Sequence, residues 1–161
     1  MRTRSALKKN GSLRASIPYS QAKSIGILFS VEDKQKHSAV KEFIHRLEQD
    51  GKIVKVLEFL PLKKENYEFM FDFFTVNELS FWGKIDSTIA EKFASTPFDY
   101  LFYLDREFNP LTLHVLATSK AHCRVGRFFE NESNYFELMI EQNGTDKGLM
   151  DSMYKYTTQL K

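Results

Sequence analysis

The residues best placed for chemistry stand in one stretch, FDYLFYLDREFNPLTLHVLATSKAHCRVGRFF, residues 98–129. Asp105 closes an apolar run that reads as a strand. Asn109 and Pro110 open a helix, with Asn as N-cap and Pro at the first helical position, where its missing N–H costs nothing. Arg124 and Arg127 follow on the next strand. A carboxylate at a strand end beside a helix N-terminus, whose free N–H groups and dipole attract anions, is a ligand-site layout. Glu32 and Asp33, just past the first apolar strand, complete the candidate set of Asp105, Asn109, Arg124, Glu32 and Asp33. The same residue types also serve turns and caps, and this structural reading is the one the residues favour. On it, an ion pair between Asp105 and Arg124, if surface-exposed, contributes only about 0–1 kcal/mol.

Other chemistries lack their parts. The seven glycines form neither G-x-G-x-x-G nor a lysine-bearing phosphate loop. His37 with Glu32 and Asp33 offers an acid–base group, but those residues equally suit a solvated helix start. His37, His45, His114, His122 and Cys123 are the soft ligands available and show no metal-site spacing, so neither a metal nor a cofactor is expected. His122 and Cys123 are strand neighbours facing opposite ways and cannot act as base and nucleophile, and Cys123 reads as a small buried hydrophobe. No G-x-S-x-G elbow is present.

The elements that position these residues follow from periodicity. SIGILFS, residues 24–30, reads as a strand buried on both faces, and residues 31–50 as a helix with Val40, Phe43, Ile44 and Leu47 on one side and Gly51 beyond its end. Residues 52–60 return as a strand, giving a βαβ unit. Further strands are predicted at 69–74, 98–104, 122–128 and 135–141. Helices are predicted from Asp86 to before Pro97, from Pro110 to about Lys120, and after Thr145 or Asp146 to the end. The alternation specifies an α/β fold, a three-layer sandwich with a mostly parallel, doubly wound, Rossmann-like sheet. The aromatic segment around residues 67–82 has acidic neighbours, so it suits core or a protein partner rather than nucleic-acid bases.

With 161 residues the chain fits one domain, residues 23–161, behind a basic arm, residues 1–22. Arg2, Arg4, Lys8, Lys9, Arg14 and Lys23 precede the first acid, Glu32, which leaves the remainder at a net −4. Such an arm reads as a solvated, flexible tail; as an interaction element it suits RNA or an anionic membrane. No apolar run can span a bilayer, the arm lacks a secretory h-region, and the lone Cys123 forms no internal disulfide, so a cytoplasmic protein is expected.

SIGILFS, FTVNELSFWGKI and the 98–128 stretch together resemble a family of small bacterial proteins carrying a domain of unknown function. The shared landmarks are Gly26, Trp82-Gly83, Phe98-Asp99 and Arg124-Val125-Gly126. That resemblance implies a real domain and no particular activity. Over about thirty residues, Asp99, Asp105, Arg124 and Gly126 are also similar to the N-terminal half of lipopolysaccharide heptosyltransferases. Those enzymes carry Gly-Asp after the first strand, where this chain has Phe29-Ser30-Val31, and a second domain for the nucleotide sugar. The expectation is a non-catalytic binding module with a protein partner or anionic polymer. The alternative is an enzyme or acceptor-binding half-domain using the crevice at the strand ends.

Overall fold

The computed structural model describes residues 11, 14–68, 70–78, 88–130 and 133–161. Six strands form one sheet: β1 (Ser24–Ser30), β2 (Ile53–Phe59), β3 (Asp72–Phe74), β4 (Tyr100–Tyr103), β5 (Cys123–Arg127) and β6 (Leu138–Ile140). Their order is β3-β2-β1-β4-β5-β6, and every pairing is parallel. This is the doubly wound order, in which the chain reverses direction of travel across the sheet between β1 and β4.

Among the described residues four α-helices cover the two faces: α1 (Lys34–Gln49), α2 (Thr88–Ser95), α3 (Pro110–Thr118) and α4 (Asp146–Thr158). Side-chain alternation along each strand feeds two cores. Ile25, Ile27, Phe29, Tyr100 and Phe102 pack under α1 and α4. Leu28, Leu57, Leu101 and Tyr103 pack under α2 and α3. The caps match residue chemistry. Asp33 accepts from Lys36 N, Asn109 from Leu111 N with Pro110 next, and Thr145 from Gly148 N. Gly51 ends α1 at φ +82°, a conformation glycine adopts without steric penalty.

Two strand glycines are required by packing. A Cβ on Gly26 would sit 2.6 Å from the Phe98 ring, and one on Gly126 would overlap the Phe136 ring. An aromatic ring therefore lies directly on the backbone at each place.

The predicted strands at 69–74 and 135–141 are longer than the observed β3 and β6. Tyr135 and Phe136 turn into the core from a 3₁₀ turn instead of extending the sheet. Trp82, Gly83 and Asp86 lie outside the described residues. Of the predicted arm, residues 14–22 pack against the body. Ala15 N donates to His122 O (2.8 Å), the Tyr100 hydroxyl donates to Ile17 O, and Tyr19 is buried. Lys52 Nζ donates to Tyr19 O (2.7 Å) and Ala22 O (2.6 Å), and Asp50 accepts from the hydroxyls of Tyr19 and Tyr154.

On β2, Glu58 sits in register with Phe29 and Phe73. It is 1% exposed, and neither carboxyl oxygen has a hydrogen-bond partner. Burial pushes its pKa up to about 7.

Candidate functional site

Where β1 and β4 diverge, their carboxyl ends are joined by Asp105. One residue beyond Leu104, its Oδ1 accepts from Ser30 N (2.8 Å) and from Lys36 Nζ (2.6 Å), and its Oδ2 accepts from Ser30 Oγ (2.6 Å). Lys36 comes from the first turn of α1 and also lies 3.5 Å from Glu32 Oε2. Both members of the Lys36–Asp105 pair are buried. Burial alone would lower the Lys36 pKa, but the Asp105 charge and hydrogen bond, with Glu32 and Asp146, outweigh it and raise the ammonium above its ordinary value.

This network floors two adjoining openings. A recess of about 390 Å³ runs from Ser30 and Glu32 past Asp105 to Phe108 and Asn109. A larger cavity of about 770 Å³ lies between the amino ends of α1 and α4, lined by Lys34, Ser38 and Glu42 on one side and Thr145 and Lys147 on the other. Glu32, Lys36 and Arg106 line both. Arg106 Nη1 is enclosed and has no partner. Asp146 is raised, first by burial, with Lys36 and Arg106 opposing.

The sequence candidates separate. Glu32, Asp105 and Asn109 share the recess. Asp33 is committed to capping α1: its Oδ1 takes Lys36 N at 2.8 Å, the position a bound phosphate would occupy in a glycine-loop site. Arg124 is elsewhere. It is 3% exposed on β5 and grips Glu137, with Nε to Oε1 at 3.0 Å and Nη2 to Oε2 at 2.8 Å. Asp105 and Arg124 therefore do not pair with each other: Asp105 pairs with Lys36, both buried, and buried Arg124 pairs with the more exposed Glu137. Arg127, on the opposite strand face, donates to Gln142 O and Asn143 Oδ1.

Sequence reasoning missed Lys36, Arg106 and the amino end of α4. The i,i+4 spacing of Glu32 and Lys36 was a readable signal; the approach of α4 to α1 depends on strand order and was not.

His37 does not line either opening. It packs against Tyr67 and Phe71, each with ring centroids 5.7 Å away, and its Nε2 lies 3.8 Å from Glu68. Burial lowers its pKa, with Glu68 opposing. Cys123 is 1% exposed, and burial, aided by the Glu137 charge, pushes its thiol up to about 12. Among the described residues no cluster of His, Cys, Asp or Glu could hold a metal ion. Of the aromatic segment, Phe74 is buried, whereas Phe73 is exposed along with Met70 and Val76 near edge strand β3.

The sequence signature of a family of unknown function, DUF6913, matches residues 2–160. The chain belongs to that family. Neither a curated protein nor a solved structure matches it. The structure explains part of the pattern that first suggested the resemblance. In this DUF6913 chain Gly26 and Phe98 are one ring-on-backbone contact. Asp99 Oδ2 accepts from Lys23 N (2.7 Å) and Ser24 N (3.1 Å), tying the start of β1 to β4. Arg124 and Gly126 both lock the 134–137 segment onto β5, through Glu137 and the Phe136 ring. Of the arm candidates, Arg14 donates to Ser119 O and Ala121 O, while Arg2, Arg4, Lys8 and Lys9 lie outside the described residues. Among the described residues no helix is long and apolar enough to cross a membrane.

Proposed function

We propose that this chain is a non-catalytic binding module whose recognition site is the crevice over the carboxyl ends of β1 and β4. The observation that supports this reading is how the crevice holds its central charges. Asp105 is saturated by three donors, and Lys36 is held as an ammonium by Asp105 and Glu32. A group that exchanges protons with a substrate needs a free position and a pKa near the working pH. Fixed charges lining an open cavity serve instead to orient a polar ligand. Arg106, Lys34 and Lys147 reach into that cavity from three different elements.

In this reading the module works in the cytoplasm. Arg2, Arg4, Lys8 and Lys9 supply any contact with RNA or an anionic membrane, since Arg14 is engaged by the body. The alternative, an acceptor-binding half-domain of a transferase, draws on the position of the crevice at the reversal point of a doubly wound sheet.

The test is to purify the tagged chain from its native cytoplasm, denature it, and identify co-purifying small molecules by mass spectrometry. Ser38→Trp, on the exposed wall of the cavity, is the blocked control. A polar ligand retained by the unsubstituted chain and lost from Ser38→Trp supports the reading. An identical set from both refutes it, and turnover of the retained ligand would favour the transferase alternative.

A further inference from the structure

At the opposite end of the sheet from the crevice, two arginines stand beside one carboxylate, Glu137. Every guanidinium nitrogen of Arg124 has a partner: beyond its two bonds to Glu137, its Nη1 donates to Leu116 O (3.1 Å) and its Nη2 to Asn134 O (3.0 Å). Arg14 is anchored through Nη1 alone, to Ser119 O at 2.7 Å and Ala121 O at 2.5 Å. Its Nε and Nη2 are buried and bond to nothing. These two nitrogens are the side-on fork that Arg124 uses to grip Glu137, and that fork matches the two oxygens of a carboxylate or phosphate.

Glu137 does not serve both arginines. Its Oε1 lies 4.0 Å from Arg14 Nε and already accepts from Arg124 N (2.9 Å) and Arg124 Nε (3.0 Å). The Arg14 and Arg124 side chains are 9% and 4% exposed, so two buried positive charges face a single carboxylate. Burial, followed by the Arg124 charge, pulls Arg14 down to about 10, with Glu137 only partly opposing. The Glu137 side chain, 4.0 Å from the fork, is 20% exposed.

We infer that the Nε/Nη2 edge of Arg14 is a docking site for an oxyanion, a carboxylate or phosphate group that completes the bidentate pairing Arg124 already makes with Glu137. The site is independent of the crevice, since Arg14 lines neither opening. The Nη1 anchor presets the direction of the fork, so the incoming group finds two donors already aligned.

The experiment uses the full chain, with sodium phosphate and sodium acetate as separate probes, each against sodium chloride at matched ionic strength. Two readouts are followed: the melting midpoint, and the Arg14 Nε–H signal in nitrogen-15 NMR spectra. A saturable rise in midpoint with either probe, accompanied by movement of the Arg14 signal, is expected. Arg14→Lys keeps a cation for the Ser119 and Ala121 carbonyls but has no fork, and should weaken binding about tenfold or more. Arg106→Gln, in the crevice, should leave it unchanged.

A midpoint that follows chloride alone, or an Arg14 signal unmoved by both probes, overturns the inference. So does equal binding by Arg14→Lys. If Arg14→Lys does not fold, the signal in the unsubstituted protein decides by itself. Loss of binding in Arg106→Gln with an unmoved Arg14 signal would place the anion in the crevice and also overturn this site.

Discussion

Glu58→Gln should stabilise the protein at alkaline pH and make no difference at acid pH. Glu58 is 1% exposed, beside Phe29 and Phe73, with both oxygens unpartnered, and its pKa rises from 4.5 to about 7 in the fold. Below pH 4.5 the carboxyl is neutral whether the chain is folded or not, and nothing is lost. Between 4.5 and about 7 the unfolded chain releases a proton that the folded chain retains, so stability falls as pH rises. Above about 7 the folded protein carries a buried carboxylate and the full penalty applies. At about 1.4 kcal/mol per pH unit, the penalty reaches about 3 kcal/mol. Glutamine keeps the shape and cannot ionise.

The assay is urea denaturation of both proteins at intervals from about pH 4.5 to about pH 8.5, with the difference in unfolding free energy plotted against pH. His37 and Asp146 also carry shifted pKa values, but both proteins contain them, and the difference removes their contributions. The difference should grow from near zero to about 3 kcal/mol, or about 6–12 °C in melting midpoint for a chain of this size. A difference independent of pH, or a glutamine variant less stable than the parent at pH 8.5, would refute the reasoning.

Asp105→Asn leaves the buried Lys36 ammonium without its carboxylate and should cost about 3 kcal/mol or more by chemical denaturation, beyond the 0–1 kcal/mol of an exposed pair; Lys36→Met added to it should recover part of the loss. Gly126→Ala forces the Phe136 ring off the strand and should cost about 1–3 kcal/mol, and Phe136→Leu in the same chain should reduce that penalty, a coupling readable in a double-mutant cycle. Deleting residues 1–20 should lower stability by about 2 kcal/mol or more, because it removes buried Tyr19 and the Arg14 anchor.

What was legible in the sequence was whatever local spacing determines. The cap at Asn109-Pro110, the αL glycine after α1 and the apolar runs of β1 and β4 each act over a few residues, and the alternation of strand and helix then restricts the sheet to parallel order. The partners of charged residues are determined differently. Asp105 and Arg124 lie nineteen positions apart and look like a pair in one dimension. In the fold Asp105 ends its strand at the carboxyl edge and meets Lys36 and Ser30 across the reversal point, sixty-nine and seventy-five positions away. Arg124 lies next to Leu101 in register, beneath α3, where the chain returns through 134–137 to bring Glu137 onto it. Which carboxylate meets which cation therefore depends on strand order and on the face each residue presents. The same dependence explains Arg14. Its composition suggests a solvated tail, yet the carbonyls of Ser119 and Ala121, where α3 turns into β5, hold its Nη1 and leave its remaining fork buried. Basic residues ahead of a domain are solvated by default, and an unsatisfied backbone carbonyl within reach is enough to reverse that default.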